Sequence, residues 1–433
     1  MPRLPHGEPV TLEDFQAARA MLADSSADIT LGFATARPVV TRDFGFLFLD
    51  LQDDPDNLLP ESRATRDALV ALGREMVDAG GGPGGGDSRI PAAYTYFGQF
   101  VDHDITLETQ SATLQQLTDP DLVPLTLDEI RDKLQNGRTA TLELDSLYGI
   151  QAPRDGAKMQ LGKVTPLNGD APPQLRPPGK DDDNDLPRKG RSATAEKDRE
   201  ARIGDARNDE NTIIAQLHVA FLRAHNELVR QGRTFGAASR TLRQHYQHII
   251  LHDFLKRIVR PRIVDETIDK NQVYDPVNNT FMPLEFSVAA YRFGHSMVRA
   301  EYDFNLNFNT SGRPGTQPAT LFPLLFTFTA LSGQLGDFDT LPDNWIIEWE
   351  NFVDLGRPFN RARRIDTKLV EPLFQLTDFQ GQIRDEDRAR LAVRNLLRGY
   401  RLRIPTGRSR IPSGRASLAG TDSTGLSESR AYQ

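Results

Sequence analysis

The stretch PAAYTYFGQFVDHDITLE, residues 91–108, constrains the fold of this chain more than any other. Its aromatic and aliphatic residues recur at the spacing of one helix face, and a proline stands where such a helix would begin. We therefore expect an amphipathic helix that carries polar residues in an apolar neighbourhood. Its apolar face would consist of Tyr94, Phe97, Phe100 and Val101.

Four polar residues of that helix stand close together in the sequence. Gln99, Asp102 and His103 lie at positions i, i+3 and i+4, so about 3.6 residues per turn place them on one face. Asp104 projects away from that face. A histidine between two aspartates can act as an acid–base group, because its ordinary pKa is near neutral pH. The alternative is a hydrogen-bonded surface histidine without a chemical role.

Helical patterns recur elsewhere along the chain, with irregular segments between them. The sequence therefore predicts a mainly α fold with long loops and little β structure. In the segment TATLELDSLYG, residues 139–149, acids alternate with leucines, which predicts a short extended stretch. The predicted helices cover residues 64–79, 208–231, 240–259, 286–300 and 383–400.

Three segments lack the residues that a core requires. The run GGGPGGGDSR, residues 80–89, predicts a flexible loop and lacks the Lys-Ser/Thr ending of a phosphate-binding loop. Residues 164–200 are rich in Pro, Asp and Lys and predict a solvated loop, and residues 406–433 predict a mobile tail. We expect an N-terminal helical and loop extension over 1–89 and one large helical domain over 90–405.

Composition excludes several classes of protein. The chain has 433 residues, with 52 basic and 60 acidic side chains, a net charge of −8, eight histidines and no cysteine. A disulfide scaffold, a Cys-ligated metal and a thiol nucleophile are therefore excluded. The acidic excess argues against nucleic acid as a partner. The sequence shows neither a secretory signal nor a run of about 18 apolar residues that could span a membrane, so we expect a cytoplasmic location, with leaderless secretion as the alternative.

Two further segments contain candidate site residues. In GDARNDE, residues 204–210, Arg207 and Glu210 stand three apart at the start of a predicted helix, where the alternative is an ordinary surface ion pair. His295 follows Gly294, which allows another group to approach the backbone closely. A lone histidine in such a place is more often structural than a metal ligand.

The remaining histidines offer a different kind of site. His245, His248 and His252 have the spacing i, i+3, i+7, which suits a zinc site and therefore a non-haem metal hydrolase. The motif H-E-x-x-H is absent. His218 and His225 lie beside an apolar stripe and are interpreted as packing residues with a satisfied ring nitrogen.

Three segments, FGQFVDHDITLE, GDARNDENTIIAQLHVAFLRAHNELV and YRFGHSMV, resemble in order and spacing the animal-type haem peroxidases of the peroxidase–cyclooxygenase superfamily. The resemblance extends over about residues 90–405 and implies a single large helical haem-peroxidase domain. It implies haem b with His295 as the proximal iron ligand and His103 as the distal acid–base catalyst. It also places Arg207 in the distal cavity, and Gln99, on the same helix face as His103, is a further candidate catalytic residue. The absence of cysteine fits a short, bacterial-type member.

The resemblance also implies residues that hold the haem. Asp102 and Glu210 stand where the family forms ester bonds to haem methyl groups. The next residue is Asn211 rather than the methionine that makes a further link in myeloperoxidase-like members, so at most two ester bonds are expected. Arg292 corresponds to an arginine that meets a haem propionate. Asn395 corresponds to an asparagine that accepts a hydrogen bond from the proximal imidazole.

A calcium site is implied beside the distal histidine. Hard oxygen ligands of the kind that Ca²⁺ prefers are available in both segments concerned. The loop carries Glu and Asp where mammalian members carry Asp and Ser. The implied ligands are Asp104, Thr139, Thr141 through its carbonyl group, Glu143 and Asp145.

The implied activity is reduction of hydrogen peroxide with oxidation of halide, thiocyanate or phenolic donors, in a response to oxidative stress. The superfamily also contains fatty-acid dioxygenases, in which a tyrosine lies three residues before the proximal histidine. Arg292 occupies that position here, and Tyr291 lies one residue earlier. This difference favours a peroxidase. A structural calcium-binding helical protein is a further alternative.

Overall fold

A computed structural model describes residues 44–78, 86–109, 114–139, 141–149, 152–167, 175–194, 197–270, 281–321, 324–331, 333, 335–376 and 386–407. The predicted mainly α fold is confirmed. The α-helices are α1 (Arg63–Glu75), α2 (Ala93–Ile105), α3 (Leu114–Leu117), α4 (Leu127–Lys133), α5 (Asp145–Tyr148), α6 (Thr212–Arg230), α7 (Phe235–Ile249), α8 (Leu255–Ile258), α9 (Pro261–Lys270), α10 (Leu284–Ser287), α11 (Leu324–Thr327), α12 (Glu386–Ala389) and α13 (Leu391–Arg401).

Shorter helical turns complete the helical part. A π-helical turn at Ile250–Phe254 joins α7 to α8. The 3₁₀ turns are Leu49–Gln52, Pro55–Asn57, Ala206–Asp209, Ala290–Met297, Asp343–Trp345, Trp349–Asn351 and Glu371–Phe374.

The described strands are short and form two-stranded pairs. β1 pairs with β8 and β2 with β12 in parallel, and β3–β11, β4–β5, β6–β7 and β9–β10 are antiparallel. Except for the local hairpin β6–β7, these pairs join segments that are well separated in the chain, and none of them forms a sheet core. The strands are β1 (Phe44–Gly45), β2 (Val77–Asp78), β3 (Asp87–Pro91), β4 (Glu108–Thr109), β5 (Gln135–Asn136), β6 (Arg154–Asp155), β7 (Lys158–Met159), β8 (Met282–Pro283), β9 (Glu301–Tyr302), β10 (Ala319–Thr320), β11 (Arg361–Arg363) and β12 (Leu369–Val370).

Helix α2 is the predicted helix of residues 91–108. Residues Asp87–Pro91 form strand β3 and pair with β11, so the helix begins only at Ala93. Phe97, Phe100 and Val101 of its apolar face are buried and Tyr94 is partly buried. The Phe100 ring stacks on Phe221 of α6 with 4.7 Å between ring centroids. Stacked aromatic pairs stabilise a core beyond the area they bury, so α2 and α6 form a rigid pair.

Helix α6 confirms the predicted helix that follows residues 204–210. Its N-cap is Asn211, whose side chain accepts a hydrogen bond from the backbone N–H of Ile214 at 3.0 Å. Such a cap satisfies one of the backbone donors exposed at a helix start. The predicted helix began at residue 208, but Asn208 and Asp209 belong to the preceding 3₁₀ turn Ala206–Asp209. The α-helix itself begins at Thr212.

The predicted helix at residues 286–300 is wrong in type. The structure has the short helix α10 and then the 3₁₀ turn Ala290–Met297. A 3₁₀ helix has three residues per turn, so side chains at i and i+3 lie directly above one another. Arg292 and His295 therefore share one face, and both line the same cavity.

The extended stretch predicted at residues 139–149 is also wrong. Leu144 has a φ of 58°, and helix α5 starts at Asp145. The carboxylate of Asp104 accepts hydrogen bonds from the backbone N–H groups of Leu144 and Asp145. This contact stabilises a turn that a local pattern cannot reveal.

Two other predicted segments differ in part. The segment 164–200 is not solvated throughout, because Asp185 and Leu186 are buried where Arg188 pairs with Asp185. The helix predicted at 383–400 consists of α12 and α13, interrupted at Arg390.

The structure describes only parts of the expected N-terminal extension and C-terminal tail. Residues 1–43 of the N-terminal extension, most of the glycine-rich run and residues 408–433 of the tail lie outside the described residues. Within the described part, α1 packs against α13, and β1 and β2 pair with strands of the helical domain. Among the described helices, none combines the length and apolar character needed to cross a membrane.

Candidate active site

A cavity lies between helix α2, the start of α6 and the 3₁₀ turn Ala290–Met297. It encloses about 900 Å³ between atoms, part of it open to solvent. Aromatic and aliphatic side chains form most of its wall, as in most small-molecule sites. The charged and polar side chains at the wall include Gln99, Asp102, His103, Glu210, Arg292 and His295.

His103 lies at the cavity wall. The residue is buried, and its Nδ1 lies 2.8 Å from Oδ1 of Asn208. Burial lowers the pKa of His103, and the nearby positive charge of Arg207 lowers it further. A neutral imidazole can accept a proton from a molecule in the cavity.

Arg207 is close to His103 but is not among the described residues that line the cavity. Its guanidinium pairs with Asp205 at 2.7 Å and donates to the backbone carbonyl of Thr106 at 2.6 Å. Glu210 is buried at the cavity wall, so the alternative of an ordinary surface ion pair does not describe these two residues. Burial alone would raise the pKa of Asp205, but the guanidinium groups of Arg207 and Arg138 hold it well below its ordinary value.

The two predicted ester residues both face the cavity. Gln99 Nε2 donates to Glu210 Oε2 at 3.1 Å, and Asn211 Nδ2 donates to Gln99 Oε1 at 3.3 Å. Asp102 Oδ1 accepts a hydrogen bond from Thr106 Oγ1 at 2.9 Å. Both carboxylates are thus placed at the wall, each with a polar partner.

His295 and Arg292 occupy the wall formed by the 3₁₀ turn. Nδ1 of His295 lies 2.9 Å from Nδ2 of Asn395, so the predicted partner is present. The amide nitrogen faces the ring, however, whereas the prediction requires the amide oxygen as the acceptor. A half turn of the amide would present Oδ1 instead. Arg292 Nε is buried without a hydrogen-bond partner in the described part of the chain. Burial lowers the pKa of Arg292, and Asp102 opposes that effect.

The predicted calcium residues meet behind α2. Asp104 is fully buried, and its oxygens accept from the N–H groups of Leu144 and Asp145 at 3.1 and 2.6 Å. Burial and the charge of Asp145 raise the pKa of Asp104 to about 7, and burial and Asp145 also raise that of Glu143. Burial is the larger cause of both shifts and the charge of Asp145 the smaller one, so a bound cation would favour the ionised carboxylates.

The hydroxyl groups of the same loop bond to each other. Thr141 Oγ1 donates to Thr139 Oγ1 at 3.0 Å, and Thr139 Oγ1 donates to Asp145 Oδ2 at 3.2 Å. Within the described ranges, however, no group of three or more His, Cys, Asp or Glu side chains has the arrangement of a metal site. The calcium site therefore stays a prediction.

The histidines at 245, 248 and 252 do not form a site. All three are exposed, and only the rings of His248 and His252 approach each other, with 4.5 Å between centroids. Among the described residues these histidines do not belong to any group that could hold a metal ion. The hydrolase alternative therefore has no site in the described part of the chain.

Sequence reasoning missed two residues behind the cavity, Asp205 and Asn208. Asp205 holds Arg207, and Asn208 joins His103 to His218. His218 was expected to pack with a satisfied ring nitrogen, and its Nδ1 does have Asn208 as a partner. The only sequence signal for Asp205 and Asn208 is their position beside Arg207 in the segment 204–210.

Comparison with known proteins finds relatives for part of the chain, including the segment that carries Arg207, Glu210 and His295. The animal haem peroxidase family model matches residues 128–323. A peroxidase-like protein of Margaritifera margaritifera is 34% identical over 117 residues, which are 23% of this chain and 14% of that protein. Thyroid peroxidase of Homo sapiens is 30% identical over 105 residues, 22% of this chain and 11% of that protein. These matches span far less than two thirds of either relative.

One solved structure can be set beside these sequences. Peroxidase A from Dictyostelium discoideum aligns with a TM-score of 0.43 and 17% identity, over 78% of this chain and 68% of that chain.

Proposed function

We propose that this chain, whose residues 128–323 match the animal haem peroxidase family model, is a haem peroxidase of the peroxidase–cyclooxygenase superfamily. We propose further that its cavity holds haem b and that the protein reduces hydrogen peroxide. One observation carries the proposal. His103 and His295, which lie far apart in the sequence, line a single largely apolar cavity. A haem between them would have one imidazole available to the iron and another available to a bound peroxide.

The residues at the wall fit the haem group. The buried, unpartnered Nε of Arg292 suits a propionate, because a buried donor without an acceptor is costly. His295 has Asn395 as the partner that orients a ligating imidazole. The apolar wall suits the porphyrin ring.

Haem iron, when bound, would supply the two-electron reduction of peroxide and the oxidation of a donor. His103 would take a proton from one peroxide oxygen and return it to the other, which requires that its imidazole be neutral at working pH. Arg207 would support this step from behind, because its charge lowers the pKa of His103. Asp205 fixes that guanidinium in place.

Further roles are proposed for the remaining site residues. Gln99 would help to shape the distal wall, where Glu210 and Asn211 hold its amide. Asp102 and Glu210 would form esters with haem methyl groups. Ca²⁺ would bind near Asp104, together with Thr139, Thr141, Glu143 and Asp145, and would reduce the crowding of negative charge there.

We propose small anions, namely halide or thiocyanate, and phenols as the electron donors. The fatty-acid dioxygenase alternative would need a tyrosine that is free to react at the cavity. Tyr291 lines the cavity, but its hydroxyl donates to the carbonyl of Gly98 at 3.1 Å. This contact favours the peroxidase.

The proposed activity can be tested with the full chain expressed with a haem supply. Peroxide-dependent oxidation of iodide, bromide, thiocyanate and a phenol is measured in parallel, together with oxygen uptake on a fatty acid. Peroxide-dependent turnover of at least one small donor is expected. Oxygen uptake on the fatty acid without such turnover would support the dioxygenase instead.

A further inference from the structure

A buried amide joins the distal histidine to a second buried histidine. Asn208 Oδ1 lies 2.8 Å from Nδ1 of His103, and Asn208 Nδ2 lies 3.0 Å from Nδ1 of His218. His103 is 5% exposed, and Asn208 and His218 have no exposed surface. The three side chains therefore form one hydrogen-bonded chain inside the protein, where such bonds are stronger than in water.

The amide imposes opposite roles on the two imidazoles. An amide oxygen only accepts hydrogen bonds, and an amide nitrogen only donates them. With the amide oriented as in the structure, Nδ1 of His103 carries a proton and Nδ1 of His218 is bare. Because a neutral imidazole has one ring proton, Nε2 of His103 is bare and Nε2 of His218 carries the proton.

His218 is suited to remain the acceptor. Burial lowers its pKa to about 3, so the ring stays neutral near pH 7. Its Nδ1 therefore remains a hydrogen-bond acceptor and does not become a donor through protonation. The edge of its ring meets the Phe100 ring at 6.0 Å between centroids, which fixes its position on α6. Within the described residues its Nε2 has no hydrogen-bond partner, so Asn208 is the polar contact that orients the ring.

We propose that Asn208 and His218 are positioning residues that hold His103 in the tautomer whose Nε2 is free to accept a proton in the cavity. The use of this tautomer rests on the proposed peroxidase function, since a base must present a bare nitrogen to the proton it removes. Free imidazole side chains prefer the opposite tautomer, so the protein has to impose this one. In a serine protease the wrong tautomer costs about 10⁴-fold in kcat.

The tautomers can be read directly by NMR. The full chain, labelled with ¹⁵N in histidine, is measured as purified without porphyrin and again with zinc protoporphyrin, a diamagnetic substitute for haem. Two-bond ¹H–¹⁵N spectra show which ring nitrogen is protonated, and His103→Gln and His218→Gln assign the signals. We expect a proton on Nδ1 of His103 and on Nε2 of His218. The reverse pair, or a mixture at His103, would overturn the proposal.

Substitutions at Asn208 separate positioning from packing. Asn208→Asp keeps an acceptor for Nδ1 of His103 and is expected to keep its tautomer. Asn208→Leu removes both contacts, so the proton is expected to move to Nε2 and the reaction of the haem-loaded chain with peroxide to slow by about 10-fold or more. His218→Leu, which leaves Asn208 in place without its acceptor, should give a mixture of tautomers at His103.

The matched control is Asn226→Leu. Asn226 Oδ1 accepts a hydrogen bond from the backbone N–H of Met159, and Asn226 Nδ2 donates one to the carbonyl of the same residue. Asn226 does not line the cavity. This variant should keep the wild-type tautomers and rate. A wild-type tautomer in both Asn208→Leu and His218→Leu would contradict the proposal. If the chain binds no porphyrin, the proposed function fails, whereas the measurement without porphyrin still decides the tautomer.

Discussion

Nδ1 of His295 lies 2.9 Å from the side-chain amide of Asn395, which is 100 residues further along the chain. The contact joins the 3₁₀ turn Ala290–Met297 to helix α13. A histidine that binds iron through Nε2 carries its proton on Nδ1, so the amide oxygen of Asn395 would have to face the ring in the haem-bound protein.

Replacement of Asn395 therefore tests the proximal side. Asn395→Leu removes the partner and should weaken haem retention by about 10–100-fold, the range for lost partners of a metal-binding histidine. Asn395→Asp keeps an acceptor for Nδ1 and should retain haem. Transfer of haem to excess apomyoglobin measures the dissociation rate. Equal rates in wild type and Asn395→Leu would show that the contact does not support the ligand.

Replacement of His103 tests the distal side. His103→Ala should leave haem bound, because His295 remains, but should slow the reaction with peroxide by about 100-fold or more through loss of the proton shuttle. Stopped-flow absorbance gives the rate. The exposed His245 provides a matched control, since His245→Ala should react at the wild-type rate. An unchanged rate in His103→Ala would remove its assigned role.

Two carboxylates at the cavity wall predict covalent attachment of the haem. Acid–acetone should fail to extract haem from wild-type protein that has been treated with peroxide. It should extract haem from the double variant Asp102→Ala/Glu210→Ala, which lacks both attachment points. Extraction from wild type and double variant alike would exclude the esters without affecting the peroxidase proposal.

The crowded acids behind α2 predict stabilisation by calcium. A ligand that binds only the folded state stabilises it by about 2.7 kcal/mol at 100 times its Kd. The melting temperature should therefore rise with added Ca²⁺ and fall with a chelator. Asp104→Asn should abolish this response, whereas replacement of the exposed Asp128 by Asn should preserve it. A calcium response that persists in Asp104→Asn would place the ion elsewhere.

Parts of the fold with long, regular patterns could be predicted from sequence. Helices α2 and α6 have apolar stripes that extend over several turns, and their existence and face follow from helical periodicity. The turn Ala290–Met297 could not be predicted as 3₁₀, because over so few residues spacings of about 3.0 and 3.6 residues per turn are indistinguishable. Arg292 and His295, at i and i+3, share a face in either kind of helix, so their joint exposure to the cavity does not depend on that difference.

Several residues that line the cavity could be predicted from the sequence, but their contacts could not. Resemblance identified His103 and His295, and the structure places both at one cavity. The pairing of Arg207 with Asp205, and of His103 with Asn208, depends on how the turn Ala206–Asp209 packs behind α2. The turn at Leu144 likewise depends on Asp104, which is 40 residues away. No local pattern reports contacts of this kind.

Haem titration tests the central claim, that His103 and His295 lie on either side of one haem. Absorbance in the Soret region is followed as haem is added to wild type, His295→Ala and His103→Ala. We predict saturation at one haem per chain for wild type and His103→Ala, a strongly reduced affinity for His295→Ala, and a peroxide-induced spectral change that is fast only in wild type. Absence of haem binding by wild type, or equal binding by His295→Ala, would contradict the account.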